Sequence, residues 1–421
     1  PRACALAAGA RGGGGGPTTY GRDTADVESV SSGWLAGERE RIIGGNPNLG
    51  DGLVLTRGAW ELERGPGSAA LTLKGRMRFH NITRRRELFV NEVKPSVQVL
   101  SDASIEGVDV RVRVTPDHFV GYGDARPRPD GYWMPYIVEA GSATDALLEV
   151  TVKATAAAAL DQLTAVWLRV AYVAYGPHGR THHAQHVVLP LQFPEPPSAA
   201  PAADDGSSGV VPVRTHMLCH LDDPAEVARR YACPVARPDD VVAIGETPLA
   251  VMQGRVRHPE GIRPGLVARL ACLVFHPTSS LATACGMQAL VDVAGAWRVA
   301  FAALAAAAAR VLLRMRGVFY RLAGRQAPLI DDVSGTLPPY DQFVCLGPTR
   351  VEDEVERMAE AVGCGVAIVD VNDLKRVKIL AASEGVDTSK LTEALRPNPA
   401  GNGEEQTPVV VVRGCNAPEA H

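Results

Sequence analysis

The clearest information on the fold comes from one segment, Gly365-Val366-Ala367-Ile368-Val369-Asp370-Val371-Asn372-Asp373. Its apolar run is too short to span a membrane and is typical of a β-strand that is covered on both faces. In open α/β sheets, ligands collect at the carboxyl ends of such strands. Asp370, Asn372 and Asp373 stand at that end, where carboxylates and an amide suit a hard cation such as Mg²⁺ or Mn²⁺. A polar turn has the same composition, so the surrounding residues must decide between a ligand site and a simple strand exit.

Composition limits the classes of protein that this chain can represent. It has 421 residues, 46% of them hydrophobic, and a formal net charge of −4. That length suits two or three domains of ordinary globular composition. Because no excess of basic residues is present, we expect no nucleic-acid partner. Eight cysteines without a C-x-x-C pair argue against a zinc ribbon, and reduced thiols inside a cell are the simplest interpretation.

The N-terminal residues have the composition of a targeting segment. Residues 1–22 contain three arginines, a run of five glycines and no acidic residue. This composition resembles the tail of an organellar transit peptide. Because the first residue is Pro1, we expect a fragment or a processed product. We expect residues 1–49 to be a disordered or transit-like leader.

Residues 50–193 have the pattern of a β domain. Apolar and polar residues alternate in 71–79, 108–114 and 148–152, as in half-buried antiparallel strands. About eight short strands with turn residues between them predict an immunoglobulin-like β-sandwich. The further candidate strands are Leu53–Thr56, Leu88–Val93, Tyr132–Val138, Ala165–Tyr175 and His186–Phe193.

A second domain follows a linker. Residues 194–209 are rich in Pro, Ser and Ala, as linkers are. The second domain is expected at 210–413, with a tail at 414–421. Asp223-Pro224-Ala225-Glu226 predicts the start of a helix. Val351, Val355, Met358, Ala359 and Val362 share one face of a later helix, which Gly363 ends.

Helices alternate with short buried strands such as Val241–Ile244 in this second domain. That alternation indicates a mixed α/β domain, and the whole chain is therefore expected to be an α+β multi-domain protein. Within it, Val299–Ala309 reads VAFAALAAAAA between two arginines, well short of the ~20 residues of a spanning helix. We expect a buried Ala-rich helix, with association with a membrane surface as the lesser alternative.

Histidines and one cysteine receive structural interpretations. The four histidines between His178 and His186 read as a surface hairpin tip, because no carboxylate or cysteine lies nearby in sequence. His216 and His220 would suit a metal only on a helix, and we favour a strand with a polar edge. Cys285 reads as a small buried cysteine at a helix entry, since no residue marks a base for it.

Three polar clusters of the second domain lie where elements end. They are Asp331 with Asp332, the Asp370 group, and the acidic loop 398–407. Carboxylates from separate loops can together hold one or two divalent cations against phosphates. The sequence has no P-loop and no G-x-G-x-x-G fingerprint, so a nucleotide would be bound through metal and backbone.

The second domain, from about Arg214 to Asn416, resembles the coenzyme F420-0:γ-glutamyl ligase family. The order and spacing of several motifs agree along the whole domain. The resemblance rests on Asp222-Asp223-Pro224, Pro238–Ile244, Gln253-Gly254-Arg255, Ile330-Asp331-Asp332, Gly365–Asn372, and Gly401–Glu405 running into Pro408–Gly414. It is closest to the cyanobacterial and algal branch, which places a β domain ahead of the ligase-like domain. Gly-Glu-Thr-Pro at 245 is typical of that branch.

The resemblance implies GTP-dependent amide formation, in which phosphoryl transfer activates a carboxylate and the amine of glutamate attacks it. It implies GTP with Mg²⁺ or Mn²⁺, a small-molecule substrate and a homodimer. Metal would be held by Asp331 or Asp332 and by Asp370. The residues that would bind nucleotide or substrate are Arg255, Asn372, Asn402, Glu404 and Glu405. The algal branch implies a chloroplast location, in the stroma or at the thylakoid, and otherwise the cytoplasm.

The chain departs from the archaeal ligases at two places. Their Ser-Lys-x-Glu-Gly-Arg segment is Ala250–Arg255 here, so that a lysine and an acid become Val251 and Gln253. After the strand, Asp373 and Leu374 replace Gly and Arg. Losing a cation and gaining a carboxylate both weaken the binding of anions.

Three basic residues follow the second departure: Lys375, Arg376 and Lys378. They read either as an exposed basic face or as replacements for the missing cations. Two functions therefore stay open. One is a metal- and nucleotide-dependent amide ligase; the other is a non-catalytic protein of the same fold that acts in assembly through its β domain.

Overall fold

The computed structural model describes most of the chain as a β-rich N-terminal part followed by helices and further sheets. The described residues are 18–20, 52–117, 128, 130–196, 209–277, 279–315, 317–332, 337–371, 376–401 and 405–416. This architecture agrees with the predicted α+β class. All seven cysteines in these ranges are free thiols.

Ten strands of the N-terminal part form two antiparallel sheets. They are β1 (Thr18–Tyr20), β2 (Leu53–Leu55), β3 (Ala59–Arg64), β4 (Ala70–Asn81), β5 (Leu88–Ser101), β6 (Val108–Pro116), β7 (Tyr136–Val138), β8 (Ala143–Ala154), β9 (Leu163–Gly176) and β10 (Gly179–Pro190). A short helix, α1 (Ala157–Leu160), lies between β8 and β9. One sheet has the order β1-β3-β4-β8-β6 with β2 also paired to β4, and the other has the order β10-β9-β5-β7.

The two sheets share one apolar core, which explains the alternating sequence pattern. Trp60 and Phe79 from one sheet meet Val90 and Leu168 from the other in a single buried cluster. The predicted strands at 71–79, 108–114 and 148–152 are confirmed, and each is longer in the structure. Strand β3 was not predicted, although it supplies the fully buried Trp60. We call this unit, residues 52–196, the β-sandwich.

The second domain contains two smaller sheets and most of the helices. Its strands are β11 (Val210–Val213), β12 (Val241–Gly245), β13 (Val256–Arg257), β14 (Asp331–Asp332), β15 (Val344–Cys345), β16 (Gly365–Val371), β17 (Val377–Ala382) and β18 (Val409–Val412). Its α-helices are α2 (Pro224–Tyr231), α3 (Glu246–Met252), α4 (Leu266–Ala271), α5 (Ala284–Ala294), α6 (Ala296–Leu312), α7 (Val318–Ala323), α8 (Val351–Val362) and α9 (Thr388–Leu395). The larger sheet has the order β11-β18-β12-β16-β17, in which β12 and β16 are parallel, and the smaller has the order β13-β15-β14.

Strand β16 is covered on both faces, as its apolar sequence predicts. Val366 and Ile368 pack into the cluster that α2, α3 and α8 complete, whereas Ala367 and Val369 pack with the cluster that α9 completes. The helix signals are also confirmed. The Asp223 carboxylate accepts hydrogen bonds from the first backbone N–H groups of α2, and Gly363 ends α8 at φ +73.

The predicted leader and linker fall largely outside the described residues. Thr18–Tyr20, inside the expected leader, form strand β1 and pair with β3, so the leader prediction is wrong for these residues. The other residues of 1–49 lie outside the described ranges, and so do residues 197–208 of the linker.

The first residues of the predicted tail belong to the packed domain. Cys415 is buried, and the Gly414 N–H donates to the Asp240 carboxylate. The Asn416 N–H donates to the Asp239 carbonyl oxygen at 2.9 Å. The tail prediction is therefore wrong for 414–416, because the sequence could not show that a buried carboxylate anchors this segment.

The Ala-rich helix α6 is largely exposed, so the prediction of a buried helix is wrong. Val299 and Ala302 are buried, but Phe301 and Leu304 are 64% and 73% exposed. Among the described residues, no single helix is both long and apolar enough to cross a membrane. Helices α5 and α6 reach that length and composition only as a pair, bent by 117° at their junction.

Candidate functional site

Three carboxylates belong to one edge of the second domain. Strands β12 and β16 are parallel with Gly245 opposite Val369, so the residues that follow, Glu246 and Asp370, lie at the same end of the sheet. Asp331 comes from β14, which pairs with β15, and α3 packs against β15. We call Glu246, Asp331 and Asp370 the carboxylate cluster.

Burial and mutual repulsion set the protonation of this cluster. The pKa of Glu246 is raised to about 8, chiefly by burial and then by the negative charges of Asp370 and Asp331. The pKa of Asp331 is raised by desolvation in the surrounding protein and by Asp370, while a hydrogen bond from Ser280 opposes the shift. These electrostatic effects on Glu246 and Asp331 indicate that the three carboxylates lie near one another. The structure thus brings together two of the predicted metal ligands and adds Glu246.

One oxygen of Glu246 lacks a partner. Its Oε2 atom is buried and accepts no hydrogen bond from the described residues. Leaving a buried carboxylate oxygen unsatisfied is costly, and a cation is one of the few groups that can offset both the charge and the missing bond. An all-oxygen donor set of carboxylates is the set that Mg²⁺ and Mn²⁺ prefer. The residues present therefore fit a divalent cation.

A lysine stands beside the carboxylate cluster. Lys378 on β17 is the cross-strand partner of Asp370, and its positive charge lowers the pKa of Glu246. Of the three basic residues that follow the departure from the ligase pattern, Lys378 thus acts on the cluster. Its side chain is exposed, so it can also meet an anionic ligand that approaches from solvent.

The other predicted site residues have different positions. The Arg255 side chain is buried and donates to the Gly347 carbonyl oxygen at 2.6 Å. Glu405 is exposed, and its carboxylate lies against Gly401, where a Cβ atom would meet it at 2.5 Å. The Asp332 backbone belongs to β14. The Asp332 side chain and the whole of Asn372, Asn402 and Glu404 lie outside the described residues.

The β-sandwich holds the segment where the chain departs from the archaeal ligases. Val251 lies in an apolar cluster that Trp167 of the β-sandwich completes. The Gln253 amide donates to the Thr349 carbonyl oxygen and accepts from the Thr349 N–H, both at 2.8 Å. Val251 and Gln253 therefore have packing and backbone-binding roles.

An arginine of the β-sandwich reinforces this arrangement. Arg57 donates to the carbonyl oxygens of Gly254 and Val256 at 2.9 and 2.7 Å. Both bonds cross from the β-sandwich to the second domain. Segment 250–256 is thus fixed by the neighbouring domain at its backbone as well as by its side chains.

A second polar group joins the two domains. His186 lies buried in strand β10, so the predicted surface loop is wrong for it. Its ring stacks on His258 at 4.0 Å between centroids, and its Nε2 atom lies 3.2 Å from the Glu260 carboxylate. Glu260 also pairs with Arg169 at 2.8 Å. The sequence could not reveal this group, because Glu260 is 74 residues away from His186.

Hydrogen bonding decides against a metal at this second group. The Trp167 indole N–H donates to His186 Nδ1 at 3.1 Å, and the Glu260 N–H donates to His258 Nδ1 at 3.2 Å. Each imidazole therefore carries its proton on Nε2, which leaves no lone pair there for a metal. These residues instead form an interdomain contact.

The remaining predicted groups are structural. His216 is buried and outside any strand, so the strand prediction is wrong for it. Its ring nitrogens bond to Tyr231 Oη at 2.8 Å and to the Asp222 carboxylate at 2.9 Å. His220 is half-buried, and desolvation followed by the charge of Arg57 holds its pKa well below the usual range. Cys285 lies half-buried in the first turn of α5.

Comparison with known proteins connects the β-sandwich to one family. Residues 54–193 match the family described as F420-0:gamma-glutamyl ligase, N-terminal Ig-like domain. No curated protein matches the chain.

Two similar solved structures are GAE domains. The yeast GGA1 GAE domain shares 16% identity over 34% of this chain and 97% of its own, with a TM-score of 0.19. The GAE domain of GGA2p from Saccharomyces cerevisiae shares 12% identity over 35% of this chain and 97% of its own, with a TM-score of 0.18. The match of residues 54–193, and not these structures, supports a relation to the F420-0:gamma-glutamyl ligase family at a coarse level.

Proposed function

We propose that the second domain is a GTP- and divalent-metal-dependent ligase that joins an amino acid to a small-molecule carboxylate. The observation that carries the proposal is the carboxylate cluster, in which a buried Glu246 oxygen lacks a partner beside Asp331 and Asp370. The family match of the β-sandwich supports a ligase-like relationship.

Each residue of the cluster has a defined task in this proposal. Glu246, Asp331 and Asp370 would hold Mg²⁺ or Mn²⁺, and the ion would offset charge on a phosphoryl group as it is transferred. Glu246 must release its proton when it becomes a ligand, because its pKa lies near 8 without the ion. Lys378, opposite Asp370, would attract the anionic substrate or nucleotide.

The direct test is turnover by the full chain with F420-0, glutamate, GTP and Mn²⁺. We expect GDP, inorganic phosphate and a γ-glutamyl product, and we expect Asp370→Asn to abolish all three while the protein still folds. Glu106→Gln, on an exposed loop of the β-sandwich, is the matched control. Bound GTP at about 100 times its Kd should also stabilise the protein by about 2.7 kcal/mol. Absence of turnover together with no thermal shift for any nucleoside triphosphate would refute the proposal.

A second function is favoured by one specific observation. Segment 250–256 is held by Arg57 and Trp167 of the β-sandwich instead of being free to bind a phosphate. This arrangement suits a non-catalytic protein that acts in an assembly through its β domain. Such a protein would be recovered in a large complex without binding nucleotide, and Arg57→Ala would weaken that complex.

A further inference from the structure

The neighbouring helices α4 and α6, with the turn Cys272–Val274 that follows α4, expose large apolar side chains to solvent. We call this surface the apolar face and define it by Leu270, Leu273, Trp297, Phe301, Leu304 and Val311. These side chains are between 59% and 90% exposed, and Trp297 is the most exposed of them. Large apolar residues that gather on one surface, unlike single exposed ones, mark a site of interaction.

The apolar face runs along the length of α6. Trp297, Phe301, Leu304 and Val311 are spaced by four, three and seven residues, which places them on one side of the helix. The opposite side packs on the domain through Val299 and Ala302, which are fully buried. The 17 residues of α6 extend about 26 Å. The helix is therefore held along one side, while a long apolar strip faces outward.

The segment that carries the apolar face is strongly basic. Residues 261–326 contain eight arginines, no lysine and a single acidic residue, although the whole chain has a net charge of −4. The acidic residue, Asp292, is buried and pairs with Arg257 at 2.8 Å, so it does not offset the surface charge. Arg310, Arg314 and Arg321 are exposed and form no ion pair within the described residues.

We propose that the apolar face docks on the surface of an anionic lipid bilayer, with α6 lying in the plane of the interface. Helices that bind in this way combine an apolar strip with flanking arginines and a tryptophan at the boundary. Negatively charged headgroups complement the arginine surroundings. The side of α6 that is packed on its own domain stays out of the lipid.

The same charges disfavour a second copy of the chain as the occupant. In a two-fold contact the same patch meets itself, so the arginines of one copy would approach those of the other. Like charges brought together at an interface oppose association. An anionic membrane meets the same arginines with the opposite charge.

Vesicle co-sedimentation with the full chain tests this proposal. One set of vesicles contains phosphatidylcholine alone, and the other also contains phosphatidylglycerol. We expect binding to the anionic vesicles that weakens with added salt, and little binding to the neutral ones. Leu304→Asp should lower the partition coefficient by about tenfold or more, because it places a charge in the apolar face.

The matched control is Ile105→Asp, an equally drastic change at an exposed residue of the β-sandwich. It should leave binding unchanged, and circular dichroism should show that both variants are folded. Equal binding to the two vesicle types, or unchanged binding of Leu304→Asp, would overturn the proposal. So would a dimer in sedimentation analysis that Leu304→Asp dissociates, if wild-type protein binds neither vesicle.

Discussion

Replacing Glu246 by glutamine should change how the stability of the metal-free protein depends on pH. Burial and the charges of Asp370 and Asp331 raise the pKa of Glu246 from 4.5 to about 8. The folded state therefore binds this proton more tightly than the unfolded state does. The resulting stabilisation is fully present below pH 4.5 and is lost as the pH rises through 8.

The size of this effect follows from the interval between the two pKa values. Each pH unit inside the interval lowers the free energy of unfolding by at most about 1.4 kcal/mol, which sums to an upper bound of roughly 5 kcal/mol. Glutamine keeps the shape of the side chain but does not titrate. Near pH 8 we therefore expect Glu246→Gln to be more stable than wild type by about 2–4 kcal/mol.

Urea unfolding with a chelator present, at pH values across this window, measures the difference. The advantage of Glu246→Gln should shrink steadily as the pH falls toward 4.5. Every other titrating group is common to both proteins, so the comparison isolates Glu246. The control Glu106→Gln, exposed on a loop, should show no pH-dependent difference. A difference between Glu246→Gln and wild type that is constant with pH would show that Glu246 does not titrate in this window.

Three further predictions concern the framework. Burial, followed by the charge of His258, lowers the pKa of His186 from 6.5 to about 4. The contribution of His186 to stability is therefore present above pH 6.5 and is lost as the pH falls toward 4. His186→Gln should flatten that part of the profile of melting temperature against pH, and an unchanged profile would contradict this. Asp240→Ala leaves Arg413 without its carboxylate partner and should cost about 3–5 kcal/mol in urea unfolding, whereas a cost below about 1 kcal/mol would show that the pair is dispensable. Arg57→Ala removes two hydrogen bonds between the domains and should cost about 1–3 kcal/mol and speed proteolysis between them, and the same change at the exposed Arg111 should do neither.

Elements with a local periodic signal could be predicted from the sequence. The apolar residues of strand β16 and helix α8 repeat with the period of each element and mark the faces that are covered. Both predicted elements are confirmed. Helix α6 shows where this fails. Both of its sides are apolar, so composition could not tell which side the domain covers. Only the packing of Val299 and Ala302 decides that.

The sequence predicted two of the three carboxylates of the candidate site. Asp370 was predicted, and so was Asp331, although the sequence left the choice between Asp331 and Asp332 open. Glu246 was missed, although it comes shortly after the apolar run Val241–Ile244, much as Asp370 comes directly after the apolar run Val366–Val369. That shared signature is the signal that could have found it.

Contacts between distant segments gave no signal at all. Arg57 reaches Gly254 across 197 residues, and His186 meets Glu260 across 74. Since single-sequence patterns extend over a few residues only, such pairs become visible when the tertiary structure is known. The structural roles of Val251 and Gln253 likewise depend on contacts with residues that are distant in sequence.

We propose that Glu246, Asp331 and Asp370 together hold a divalent cation. Calorimetric titration of the full chain with Mn²⁺, in two buffers with different heats of protonation near neutral pH, tests it most directly. We predict binding of a cation accompanied by release of up to about one proton, which Glu246 gives up. Asp370→Asn should lose both signals while its metal-free melting temperature stays close to wild type. Absence of Mn²⁺ binding by the wild-type protein, or equal affinity and proton release in Asp370→Asn, would contradict the claim.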